Sequence, residues 1–158
     1  MGMRRLDAPS RAKKGRTWCG PYALATVSQL SYESALDVFK RVTGRERISG
    51  VWNSEMDKAL HILGALQRFS VTCHDYDTHS VFVVENGVMR MKPLTLNQWY
   101  KRRKDKGGLY LLNVSRHYVV VNGNKIIDNQ KPEWTTFYKR KGKGSYKRAH
   151  VHRVWKIE

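Results

Sequence analysis

HYVVVNGNKIID, residues 117–128, sets two β-branched runs around an Asn-Gly pair and places a His at one end and an Asp at the other. Asn-Gly between β-branched runs is the strongest short-range signal for a two-residue type I′ hairpin, because both turn residues need positive φ. With Asn122 and Gly123 as the turn, Val121 pairs with Asn124 and His117 falls opposite Asp128. Directly opposite residues share a face, so a carboxylate is expected beside the imidazole, fixing its tautomer and favouring its protonated form. Taken alone, the pair also reads as a surface ion pair at the open end of a hairpin. A nucleophile elsewhere in the chain decides whether it carries chemistry.

Working outward, the period before this hairpin changes once. Residues 1–16 read as a basic arm. YALATVSQL after Pro21 spaces Ala23, Val27 and Leu30 as one helical face, and Pro suits a first helical turn. A second helix is expected from Ser31 as N-cap through Ala35, Leu36, Phe39 and Val42 to Gly44. A third is capped by Asn53 or Ser54, carries Met56, Ala59, Leu60 and Leu63, and stops near Gly64. Then residues 68–75 and 80–91 read as strands, the latter with an Asn86-Gly87 turn. A short helix enters at Thr95, LYLLNV (109–114) reads as a buried strand, and 149–157 reads as a last strand alternating through Val151, Trp155 and Ile157. Helices first and antiparallel strands after predict an α+β fold, a helical half packed on a sheet half.

At 158 residues the chain is long enough for one domain with a real core, here taken as residues 17–158. No apolar run approaches the ~18 residues of a membrane span, and no apolar segment follows the basic N-terminus as a secretory signal would require. Two cysteines, Cys19 and Cys73, make no disulfide framework, so a reducing, cytoplasmic compartment is expected. The spacings of zinc and calcium sites are absent, and His150 and His152 supply two ligands at most. No P-loop or dinucleotide fingerprint is present either.

Charge is the most unusual bulk property: 30 Lys and Arg against 13 Asp and Glu, a net +17. Such a field attracts nucleic acid or acidic proteins. It is clustered in the arm (Arg4, Arg5, Arg11, Lys13, Lys14, Arg16), in KRRKDK at 101–106, and in Lys139, Arg140, Lys141, Lys143, Lys147 and Arg148. Tyr138 and Tyr146, interleaved in the last cluster, could stack on bases, while Gly142 and Gly144 make it read as a flexible loop. Solvation of loops explains the same residues without a ligand.

The nucleophile is sought in RTWCGPYALA (16–25). Cys19 stands immediately before the first helix, where partial positive charge and free N–H groups favour a thiolate, and its own N–H can serve an oxyanion. A core cysteine would more often fall on an apolar face inside the helix, as Cys73 does in its strand. A Cys nucleophile needs a base, and the base an orienting group. The order Cys, His, Asp supplies all three.

CGPYALA, HYVVV and IID together resemble the papain-like cysteine peptidase superfamily, closest to the small C39-like and papain-fold proteins of bacteriophages. The resemblance spans roughly residues 17–130. It implies a Cys-bearing helical lobe against an antiparallel sheet bearing His and Asp. It also implies Cys19 as nucleophile, His117 as general base and acid, and Asp128 as orienting carboxylate, with Asn129 as the alternative. A glutamine is usual about six residues before such a cysteine; here Lys13 stands there, so Lys13 and Thr17 are the candidate oxyanion donors. The function implied is a thiol hydrolase, peptidase or isopeptidase, acting on a protein or peptide through a thioester, with no metal or cofactor. The alternative is a basic nucleic-acid-binding or virion-associated protein on a catalytically weak papain-like scaffold. If phage-encoded, it would act in the host cytoplasm.

Overall fold

The computed structural model describes residues 5–158. The front of the basic arm, residues 1–4 with Arg4, lies outside the described residues. Among the described residues the fold is α+β, as the order of periods predicts: four α-helices, a six-stranded antiparallel sheet and a two-stranded one.

The helices come first: α1 (Cys19–Ser28), α2 (Tyr32–Thr43) and α3 (Asn53–Gln67). The sequence gives α1 one apolar face, but it is buried all round, from Gly20 to Ser28. Its small residues allow that, and its two hydroxyls are satisfied internally: Thr26 Oγ1 donates to the Tyr22 carbonyl (2.8 Å) and Ser28 Oγ to that of Leu24 (2.6 Å). Cys19 lies inside the first turn of α1, one residue further in than the sequence suggests, with Trp18 as N-cap. Ser31 caps α2 by accepting from the Ser34 N–H, and Gly44 ends it at φ +71°. Gly64 does not stop α3, which runs on to Gln67. It is glycine for a different reason: a Cβ there would meet the Phe69 carbonyl oxygen at 2.7 Å.

The strands follow: β1 (Val71–Cys73), β2 (Ser80–Glu85), β3 (Val88–Pro93), β4 (Leu109–Val114), β5 (His117–Asn122), β6 (Lys125–Ile127), β7 (Thr135–Thr136) and β8 (Val151–Ile157). The large sheet has the order β1-β8-β4-β5-β6-β7, with every neighbouring pair antiparallel. β2 and β3 form a separate hairpin whose Asn86-Gly87 turn has both φ positive, as its sequence predicts.

β4 and β5 are buried along their whole lengths because both faces of the sheet are covered. Leu109, Leu111, Tyr118 and Val120 face α1–α3. Leu112, Val114, Val119 and Val121 face a second layer with Leu96 and Trp99 of α4 (Leu96–Arg102), and with Phe137. Thr95 caps α4 with a reciprocal box to Gln98. In β8 the alternation breaks: the register slips between Asn113 and Val114, so Val151 faces the α4 layer with Val154 while Trp155 and Ile157 face α1–α3.

The hairpin of β5 and β6 turns one residue later than Asn122-Gly123 predicts. Asn122 pairs with Lys125, leaving Gly123-Asn124 as the loop, and only Gly123 has positive φ (+60°), which fits a type II′ turn. Tertiary bonds select this register. The buried Arg103 guanidinium donates to the Gly123 carbonyl (2.9 Å), the Gly123 N–H donates to the Gly108 carbonyl (3.0 Å), and Asn122 also pairs with Leu109. His117 and Asp128 are therefore diagonal neighbours, not opposite ones. A two-residue shift of pairing leaves the faces unchanged, so their side chains still meet.

Candidate active site

His117 begins β5 directly after a two-residue turn, Ser115-Arg116, both with positive φ (48° and 66°). Left-handed backbone at residues other than glycine costs about 1 kcal/mol or more each. The turn is held by the Asn113 side chain, which accepts from the Arg116 N–H (3.0 Å), and by the Ser115 N–H on the His150 carbonyl (3.0 Å). This rigid entry fixes where the imidazole starts. Asp128 follows the last residue of β6 and makes a tight turn, its Oδ1 accepting from the Lys131 N–H at 2.8 Å. Its Oδ2 takes the His117 ring at Nε2, 2.9 Å away, with both side chains buried.

The Cys19 thiol engages the same ring. With Nε2 occupied by Asp128, Nδ1 is the nitrogen left for sulfur. The backbone N–H groups of Tyr118 and Gly20 also favour the charged sulfur. The approach is close because Gly20 has no side chain: a Cβ there would meet Val51 Cγ2 at 2.8 Å and the Tyr118 ring at 3.7 Å. The Tyr118 hydroxyl donates to the Val51 carbonyl (2.8 Å), tying β5 to the segment that seats the start of α1.

Electrostatics follow from these contacts. Burial pushes the Cys19 thiol up, but the imidazole and the two backbone N–H groups outweigh it and hold the thiol below its ordinary value. Burial pushes His117 down; Asp128 and the sulfur outweigh it and raise the ring to about 9. Burial raises Asp128, while His117, the Lys131 N–H and Arg140 together hold it below its ordinary value. Both shifts favour the thiolate beside the imidazolium.

Asn129 is not on the ring. Its Nδ2 donates to the Thr17 carbonyl (2.9 Å) and so binds the segment before Cys19 to the turn after β6. Thr17 is buried, and its hydroxyl accepts from the Ala12 N–H (3.0 Å). Lys13 is exposed, its N–H donates to Glu33, and it does not line the cavity of about 450 Å³ that Gly15, Arg16, Thr17, Asn129 and Gln130 form here. The Cys19 N–H, in the first turn of α1, needs no partner within the helix. Trp18 is half-buried under the Arg16 guanidinium, 4.4 Å from its ring centre.

Two residues of this site belong to the cluster that the sequence presents as a basic loop. Tyr146 stacks on His117, with ring centres 4.0 Å apart and planes 12° from parallel, and its hydroxyl donates to Gln130 (3.0 Å). Arg140, from the basic cluster, is buried with its side chain 1% exposed, and its Nη1 lies 3.5 Å from Asp128 Oδ1. This corrects the reading of Arg140 as a surface cation. Lys139, Lys141, Lys143 and Arg148 are exposed, and Lys147 is half-buried with its ammonium over the Phe137 ring. No local pattern marks either residue, because a loop folding back on a distant strand has no period.

Among the described residues no three His, Cys, Asp or Glu side chains are grouped to hold a metal, and no helix is long and apolar enough to cross a membrane. No protein-family model, no curated protein and no solved structure matches this chain.

Proposed function

We propose that this protein is a papain-like thiol hydrolase, a peptidase or isopeptidase. One observation carries the reading: a single buried imidazole holds the Asp128 carboxylate on one side and the Cys19 sulfur on the other. In the proposed reaction the Cys19 thiolate adds to a carbonyl carbon, and the oxyanion forms beside the N–H groups of the first turn of α1. The C–N bond then breaks, the imidazolium gives its proton to the departing amine, and a thioester remains. His117 next takes a proton from water as the water oxygen attacks the thioester, and the acid product leaves with the thiol restored. Asp128 keeps the ring oriented through both steps.

The test is the alkylation rate of Cys19 and Cys73, mapped separately by peptide over about pH 4 to 10, in the native protein and in His117→Ala. Cys19 should react well below the pH at which a free thiol does, and should lose that advantage without His117. A Cys19 that titrates like a free thiol near ~8.5 in both proteins would remove the reading.

A further inference from the structure

The loop that carries Arg140 and Tyr146 encloses a cavity of about 620 Å³. Its nine lining residues include five cations, Arg140, Lys141, Lys143, Lys147 and Arg148, and no carboxylate. Surface lysines alone would say little, since solvated loops collect them. Arg140 is different: it is buried, it lines the cavity, and its Nε–H makes no hydrogen bond. Nη2 donates to the Ile126 and Lys131 carbonyls (3.4 and 3.2 Å), while Nη1 faces Asp128 Oδ1 at 3.5 Å as an ion pair and, like Nε, makes no hydrogen bond. A buried guanidinium edge without an acceptor is costly unless something occupies it. Lys147 is crowded too: burial and the neighbouring Lys141 and Lys101 push its ammonium down. Asp128 offsets Arg140, and no carboxylate lines the cavity beside the other four cations.

We propose that this cavity is a phosphate-binding site coupled to the catalytic pair through Arg140 and Tyr146. A tetrahedral oxyanion matches the free guanidinium edge, and several negative charges match the surrounding lysines. The cavity is larger than one phosphate requires, so it suits a pyrophosphate, an oligophosphate or a run of nucleic-acid backbone. The coupling is geometric. Arg140 reaches Asp128, Tyr146 stacks on His117, and both belong to the loop that the anion would order. The binding site stands without the hydrolase reading; only the coupling rests on it.

Arginine Nε–H resonances report the site directly in a chain of 18.4 kDa. The native protein is titrated with pyrophosphate, with a short single-stranded oligonucleotide and with polyglutamate, while Cys19 alkylation is followed in parallel. Pyrophosphate should shift the Arg140 Nε–H together with the Tyr146 and His117 ring signals and change the alkylation rate of Cys19. The double variant Lys141→Glu, Lys143→Glu, checked for an otherwise unchanged spectrum, should weaken binding at least about tenfold. A response to the oligonucleotide alone assigns the backbone as the source, and a response to pyrophosphate alone assigns free phosphates. Equal response to polyglutamate overturns phosphate in favour of acidic protein. Lysine shifts without the Arg140 Nε–H overturn the site. A shifted Arg140 with silent Tyr146, His117 and Cys19 overturns the coupling. A reactive Cys19 with no phosphate response leaves the hydrolase reading intact and ends this one.

Discussion

His117 and Cys19 share one proton in the folded protein, and that sharing has a measurable sign. The ring, raised from its ordinary 6.5 to about 9, contributes stability that is fully present below 6.5 and lost as pH rises through about 9. The thiol, held below its ordinary 9.0, contributes stability that is full above 9.0 and lost as pH falls through its folded value. Where pH lies above both 6.5 and the folded thiol's titration but below about 9, the two slopes oppose each other, because folded and unfolded states each keep one proton on the pair. Urea melts should therefore show little pH dependence from this pair in that window. In Cys19→Ala the sulfur's share of the rise is lost and Asp128 alone opposes burial, so the ring should titrate below about 9; a ring titration unmoved by the substitution would count against the pairing. Asp128→Asn should keep the geometry but lose the charge that sustains the imidazolium. Cys19 alkylation near neutral pH should then fall at least about tenfold, since each unit of pKa is a factor of ten. The three residues of this site were legible from chemistry alone, a helix-terminal Cys and a His and Asp on paired strands. Tyr146 and Arg140 were not, because stacking and burial through a returning loop leave no trace in local spacing.

Elements position these side chains by close approach. The first turn of α1 sits against Val51 and Tyr118 through Gly20, so Gly20→Ala should force the sulfur away from the ring. The expected cost is about 1–3 kcal/mol in a urea melt, with Cys19 alkylation slowed and Cys73 unchanged. Equal stability and equal Cys19 reactivity would show that α1 can shift freely. At this scale the sequence succeeds where a period or a turn residue is decisive, as in α2 with its Ser31 and Gly44 ends and in the Asn86-Gly87 hairpin. It misleads where a distant contact overrides a local preference. Arg103 moves the β5–β6 turn by one residue, the surrounding layers bury every face of α1, and a slip against β4 sends Val151 to the second layer.

Over the whole molecule the +17 charge should govern encounter. Turnover of an acidic peptide substrate should have a kcat/KM that falls as salt rises, since screening lengths drop from about 10 Å at 0.1 M to about 3 Å at 1 M. A neutral substrate of the same sequence pattern should show a weaker dependence; identical salt profiles would remove steering as an explanation. The α+β class was readable at this scale from the order of helical and alternating periods. The strand order was not, because nothing in β8 itself states that the last strand lies between β1 and β4. That placement has a consequence in time. Cys19 precedes β8 in synthesis, and the sheet that carries His117 is complete only with β8 between β1 and β4. A nascent chain that still lacks β8 should therefore display Cys19 without the environment that the complete sheet gives it.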